Sequence, residues 1–324
     1  MGIYADTRNY FGEAWQAWNR FWFASVDPAT LCLIRLLAGG MLFYTHLIWS
    51  LDLQAFIGPE GWLPVEFIRS IQSFQGTPQW SVWSVFFWIK QPWLLWCVHI
   101  FVLVVFFCLM IGLFSRTMAV LAFLFAVSYA HRVTPGAFFG LDKANCMLAL
   151  YLMLGPCGAR YSLDSLRRAR RGITTPVAPS TAANLAIRLL QIHLCIVYFF
   201  SGLAKYTGEN WDVGTAVWWA LANYEYQSID MTWLAGHPVL IALASHVTVF
   251  WELTYGALVW NRFTRPLVLW MAVFVHLGIA LFMGMITFGV AMIIANLSFL
   301  SPKTVRAWFD PVAGRFARLL GAGK

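Results

Sequence analysis

The sequence predicts an all-α, polytopic integral membrane protein with about eight transmembrane helices. Three observations lead there. Hydrophobic residues make up 60% of the 324 and charged residues only 11%, a balance that excludes a soluble globular chain. Apolar runs of roughly 20 residues, enough to cross about 30 Å of hydrocarbon, recur along the whole length with no polar block of domain size between them. The cations are also sorted by side. With both termini inside, sixteen of the 22 lysines and arginines are cytoplasmic, four are external and two lie within spans. The net charge of +8 is thus a topology signal, and no nucleic-acid partner is expected. A single membrane domain is expected over residues 1–324.

Residues 1–26 interleave Trp15, Trp18 and Trp22 with Arg8, Glu13 and Arg20, the pattern of an amphipathic helix lying in the headgroup region. Asp27-Pro28 supplies an N-cap and a proline at the first helical position, so the first span runs from about Ala29 to Leu51. Residues 52–92 carry Gly58-Pro-Glu-Gly-Trp-Leu-Pro64 and then Trp80, Trp83 and Trp88. They read as an external loop with surface-seeking aromatic helices. The second span covers Trp93 to Leu113, the third Arg116 to Val133 and the fourth about Leu141 to Pro156. The most basic loop, Arg160 to Arg171, marks the cytoplasmic side.

The fifth span, about Asn184 to Tyr206, carries Lys205 at its far end. Residues 207–236 then form a second external loop, rich in tryptophan and free of Lys and Arg. A sixth span runs from His237 to Trp260. Pro266 to Leu300 is too long for one crossing and divides at Gly284–Gly289 into a seventh and an eighth. The tail 302–324 sets Val305, Trp308 and Val312 against Arg306, Arg315 and Arg318, an amphipathic helix for the inner surface. No internal repeat stands out, which disfavours the inverted-repeat transporter plan. All six cysteines fall in apolar segments without a CxxC pair and read as small core residues.

Polar groups inside spans are the candidates for chemistry. Gln191, Leu194, Tyr198, Ser201 and Lys205 follow 3, 4, 3, 4 spacing and line one helix face, with Gly202 beside them permitting close helix approach. Two readings fit Lys205: a lysine snorkelling from a packing seam, or a partly desolvated amine acting as a base. Arg35 and Glu252 lie at similar depth when counted from the cytoplasmic ends of their spans, and a structural ion pair between them is expected. His46, His193, His246 and His276 are dispersed over four spans without an i, i+4 pair, so no metal site is expected. Asn145, in Asp142-Lys143-Ala-Asn145 at the outer end of the fourth span, belongs either to an interfacial anchor or to a polar mouth. In the second case Trp211, Trp218 and Trp219 would roof a flat hydrophobic ligand.

Several motifs occur in a familiar order: Asp27-Pro-Ala-Thr-Leu-x-x-x-Arg35-x-Leu-x-Gly39, Gly202-x-x-Lys205, Trp211-x-x-Gly214, and His276 leading into Phe288-Gly-Val-Ala-Met292 and Ser301-Pro302. Together they resemble the transmembrane domain of vitamin K-dependent gamma-carboxylases, which also occurs alone in bacteria as the HTTM (horizontally transferred transmembrane) family. The resemblance spans roughly residues 20–305. In the carboxylases the lysine matched by Lys205 is regarded as the base that deprotonates reduced vitamin K. The resemblance therefore implies a quinol-dependent redox or modification enzyme, lyase-like, with Lys205 as its base at the external face. The cofactor it implies is a vitamin K-like quinone or naphthoquinol arriving through the bilayer. His46, Asn145, Tyr198, Ser201, Trp211, Trp218 and His276 are the candidate ligand-binding residues.

Two departures shape that expectation. Asn145-Cys146 stands where the carboxylases have Asn-His, and their lumenal domain does not follow before Lys324. A quinone-coupled oxidation or modification is therefore expected ahead of glutamate carboxylation. The rival reading is a non-catalytic membrane module that assists maturation or export of a small peptide. The expected setting is a bacterial inner membrane, multi-pass with both termini cytoplasmic. The expected partners are the bilayer, a lipid quinone and a small peptide or protein substrate.

Overall fold

The computed structural model describes residues 2–74, 78, 82–137, 140–173 and 175–319; Trp80 and Lys324 lie outside them. Among the described residues the secondary structure is helical apart from one antiparallel bridge between Val26 and Ser180. Among the described residues five helices are long and apolar enough to cross a membrane, or six if a bent C-terminal pair counts as one span. The chain divides into two compact units, Met1–Leu189 with Leu300–Lys324, and Leu190–Phe299.

The first unit starts with α1 (Gly2–Phe23), α2 (Ala29–Trp49), α3 (Leu53–Ile57) and α4 (Val65–Phe74), followed by α5 (Pro92–Ile111), α6 (Ser115–Ala137), α7 (Gly140–Leu154) and α8 (Leu163–Arg170). At the start of α2, Ala29 N donates to Asp27 Oδ1 at 2.9 Å, a local side-chain cap for the first turn. α2 packs closely on α5 because residue 39 is glycine. A Cβ there would stand 2.7 Å from backbone atoms of Met110. α5 opens on Pro92 and closes at Gly112, whose φ of 72° is the left-handed geometry of a helix stop.

Two fully buried arginines fasten this unit near opposite ends of α6. Arg35 donates through Nε to Cys157 O (3.1 Å), through Nη1 to Leu109 O and Met110 O (both 2.7 Å), and through Nη2 to Tyr161 O (2.5 Å). It thereby gathers carbonyls from the end of α5 and from the turn after α7 on one guanidinium. Arg132 does the same for the loop after α3, donating to Ile57 O (3.0 Å), Gly58 O (2.5 Å) and Leu63 O (2.9 Å). α6 and α7 cover the expected third and fourth spans but are not among the five. α7 has only 15 residues, and α6 dilutes its apolar run with Ser115, Arg116, His131 and Arg132.

α9 (Thr181–Tyr206) runs from the first unit into the second, the division falling between Leu189 and Leu190. The second unit continues with α10 (Glu209–Asp212), α11 (Ala216–Leu221), α12 (Pro238–Leu258), α13 (Arg265–Phe282) and α14 (Ile286–Asn296). The division of the last apolar run therefore falls between Phe282 and Ile286. α11 packs on the first half of α12, where Val217 N donates to Ser245 Oγ at 3.2 Å. Finally, α15 (Pro302–Leu319) belongs to the first unit. There Tyr161 donates to Asp310 at 2.7 Å, while Arg306 pairs with Asp310 at 3.0 Å and Asp27 at 3.4 Å.

Candidate functional site

The fifth apolar run ends in Ser201-Gly202-Leu-Ala-Lys205, and the glycine decides what the lysine meets. A Cβ at residue 202 would lie 2.9 Å from Glu252 Cβ and from Leu253 N, so α9 can touch α12 at this level only with glycine. One turn on, Lys205 Nζ reaches Glu252 Oε1 at 2.9 Å and Oε2 at 2.8 Å, and donates to Ser201 Oγ at 2.6 Å. Ser201 Oγ in turn donates to Glu252 Oε1 at 3.3 Å. The indole of Trp211 lies over the ammonium with its ring 5.4 Å away, a cation–π contact. The carboxylate is nearly buried, its side chain 8% exposed, whereas the lysine keeps 24%.

The expected Arg35–Glu252 pair is therefore corrected: Glu252 is matched by Lys205, and Arg35 is satisfied by carbonyls of the first unit. The reason lies in helix stagger. Glu252 is 14 residues into α12, about 21 Å along its axis. Because Gly202 packs at Glu252, α9 stops beside the middle of α12, and α10 and α11 occupy the level that another helical turn would have filled. Residue counts from span ends made Lys205 external and Glu252 internal, but the helices do not begin and end in step.

Below the ion pair, the same face of α9 enters a second polar cluster. Tyr255 Oη donates to Asn296 Oδ1 at 2.6 Å, Asn296 Nδ2 donates to Tyr198 Oη at 2.9 Å, and Tyr198 Oη lies 2.7 Å from His276 Nε2. Since Tyr198 Oη already accepts from Asn296, its hydrogen is free for Nε2, and a neutral imidazole then carries its proton on Nδ1. Nδ1 of His276 is buried without a hydrogen-bond partner among the described residues. In that tautomer the chain of donors ends in a buried N–H with no acceptor among the described residues. Such an orphan donor is costly in an apolar interior unless something supplies a carbonyl or an oxyanion.

The remaining candidates divide between the units. Trp218 lines an apolar cavity of about 460 Å³ with Gly214, Ile241 and Ala242 in the second unit. Ile241, Ser245, Val249 and Glu252 form one buried stripe of α12, so cavity and ion pair share a side of that helix. His46 and Asn145 are in the first unit. The His46 ring is packed by Trp49, Phe106 and Tyr129, with Nδ1 on Leu42 O at 2.8 Å. Asn145 is buried with Oδ1 unpartnered among the described residues.

Sequence reasoning missed His99 and Tyr129, both buried, which join the half-buried Ser50 in a hydrogen-bonded chain at 2.8 Å and 2.6 Å. It also missed Tyr255 and Asn296. Spacing held a signal for the tyrosine, because Tyr255 follows Glu252 by three residues on the same helix face.

A multi-helix membrane domain with a charged pair and a hydrogen-bonded tyrosine–histidine cluster among its apolar helices is the class that fold and site define. Within that class the chain belongs to the HTTM family: the family model, described as HTTM domain, matches residues 23–304. No curated protein and no solved structure matches.

Proposed function

We propose that the second unit binds a lipid quinone or quinol and that Lys205, working with Glu252, is the base of a redox or modification reaction on it. The observation that carries this reading is the unequal exposure of the pair: a nearly buried carboxylate with a lysine left partly open beneath an indole face. A pair that only holds helices together has no need of an open member, since good geometry and complete hydrogen bonding are what offset its desolvation cost. Here the accessible member is the one that can exchange a proton.

Lys205 and Glu252 can exist as ammonium and carboxylate or, after one proton crosses the 2.8 Å contact, as free amine and carboxylic acid. The net charge is zero in both forms, so the proton shift avoids creating an isolated charge among apolar helices. In the second form the amine can accept a proton from a ligand hydroxyl, with Ser201 holding its position. Three features of the unit support such a ligand, with the cavity lined by Trp218 and not by Lys205 or His276. The orphan Nδ1–H of His276 would bond a carbonyl or hydroxyl oxygen, Trp211 offers a flat face, and the cavity beside Trp218 is of ligand size. A bound quinol would supply acidic hydroxyls and two reducing equivalents.

In the same reading α6, the 15-residue α7 and the 11-residue α14 also cross the membrane and, with the five, bring the count to eight. The chain then lies in a bacterial inner membrane with both termini cytoplasmic, supported by the sixteen-to-four distribution of cations. Purification from native membranes followed by lipid extraction tests the proposal. Wild type should carry quinone, and Lys205→Ala, still monodisperse, should lose it. Equal quinone in the two preparations defeats the assignment.

A further inference from the structure

Where α5 closes and α6 opens, a cavity of about 460 Å³ lies between the turn at Phe114, the segment after α7, and α8. Arg116, Arg167, Arg168 and Arg171 line it. Its carboxylate, Asp164, is already engaged, accepting from Phe114 N at 3.0 Å and from Ser115 N and Oγ, both at 2.8 Å. Among the described residues none of the four arginines forms an ion pair. Arg168 donates to Ala159 O at 3.2 Å, and the Arg167 guanidinium stands 5.7 Å from the Phe114 ring.

Four guanidinium groups around one cavity repel each other, and the single acid among them is occupied in capping α6. Their fork geometry suits phosphate oxygens, which accept paired N–H donors better than a point-charge cation site would allow. The apolar side of the same mouth is also formed. Phe114 is 61% exposed and held at a φ of 49°, so its ring stays outside the core beside the arginines. A second cavity of about 560 Å³ shares Pro156, Ala159 and Arg168 with the first, which adds room for a bulky headgroup. Cationic walls next to an exposed aromatic ring, at the end of membrane-crossing helices, match an amphiphile better than a soluble anion.

We propose that this cavity binds the phosphate headgroup of an anionic phospholipid, with its acyl chains against Phe114. The site is independent of the chemistry at Lys205.

The test is native mass spectrometry of the full chain in detergent, offered equal amounts of phosphatidylglycerol and phosphatidylcholine. Wild type should retain phosphatidylglycerol preferentially. Each Arg→Gln change at 116, 167, 168 or 171 should weaken that preference by about fivefold, the effect of one basic residue near a lipid headgroup. Arg262→Gln, on the separate basic turn of the second unit, should leave it unchanged. The four positions are exposed, and an unchanged thermal melt checks that each single variant is folded. A preference that survives all four changes, or that Arg262→Gln lowers equally, overturns the site. So does inorganic phosphate binding to wild type with no retention of phosphatidylglycerol, since the occupant would then be a soluble anion.

Discussion

Lys205 donates to both carboxylate oxygens of Glu252, at 2.9 and 2.8 Å, from a helix that ends beside the middle of its partner. This makes the lysine half of a two-residue unit, and losing one charge should cost more than losing both. Lys205→Ala strands a nearly buried carboxylate, a change that costs about 3 kcal/mol or more in comparable settings. The double variant Lys205→Met/Glu252→Leu removes both charges and should regain much of that loss. Thermal unfolding in one detergent measures all three proteins. A double variant no more stable than Lys205→Ala means that the carboxylate was not relying on the lysine.

The same geometry shows what could be read from the chain and what could not. Helix faces were legible, because 3.6-residue periodicity is local: Tyr198, Ser201 and Lys205 do share a side of α9. Glycine at 202 was legible as a point of close approach for the same reason. Depth was not, since it depends on where each helix starts relative to its neighbours, and that is fixed by packing at Gly202 and by α11 settling against Ser245. The Arg35–Glu252 expectation failed on that point. Arg35 looked like half of an ion pair because its alternative, four carbonyls from two separated segments, has no signature in composition or spacing.

Replacing Arg35 or Arg132 should therefore act through backbone carbonyls rather than through lost charge. Arg35→Lys keeps the charge but cannot reach Leu109, Met110, Cys157 and Tyr161 together, so it should still cost about 2–3 kcal/mol, a scale set by hydrogen bonds to charged groups. Arg132→Lys should loosen the loop after α3 and speed limited proteolysis between Ile57 and Leu63. If Arg35→Lys melts with wild type, the carbonyl fan is dispensable.

The tyrosine–histidine cluster should show directional losses. Tyr255→Phe leaves Asn296 Oδ1 without its donor, whereas Tyr198→Phe removes both the acceptor for Asn296 and the partner of His276 Nε2. A buried polar atom left unsatisfied costs about 1–3 kcal/mol, so Tyr198→Phe should be the more destabilising of the two. Chemical-denaturation midpoints in lipid-like detergent decide this. The reverse order would mean that the relay does not run from Tyr255 towards His276.

Asp164 gives a pH-dependent signature outside the membrane-spanning helices. Burial alone would raise its pKa, but the hydrogen bonds from Ser115 and Phe114, aided by Arg167, hold it below the ordinary carboxylate range. A carboxylate with a depressed folded-state pKa stabilises the fold above its unfolded value, about 3.9, and the contribution is lost as pH falls through the folded value. Wild type should thus exceed Asp164→Ala in stability by at most about 1 kcal/mol at neutral pH, the scale of one helix cap reduced by solvent screening. That difference should hold from neutral pH down to about 5 and shrink below about 4 as the carboxylate protonates. Taking the difference between the two proteins at each pH cancels the titration of other acids, including Asp310. A gap of the same size at pH 7 and well below 4 would show that the aspartate does not cap α6 as an ion.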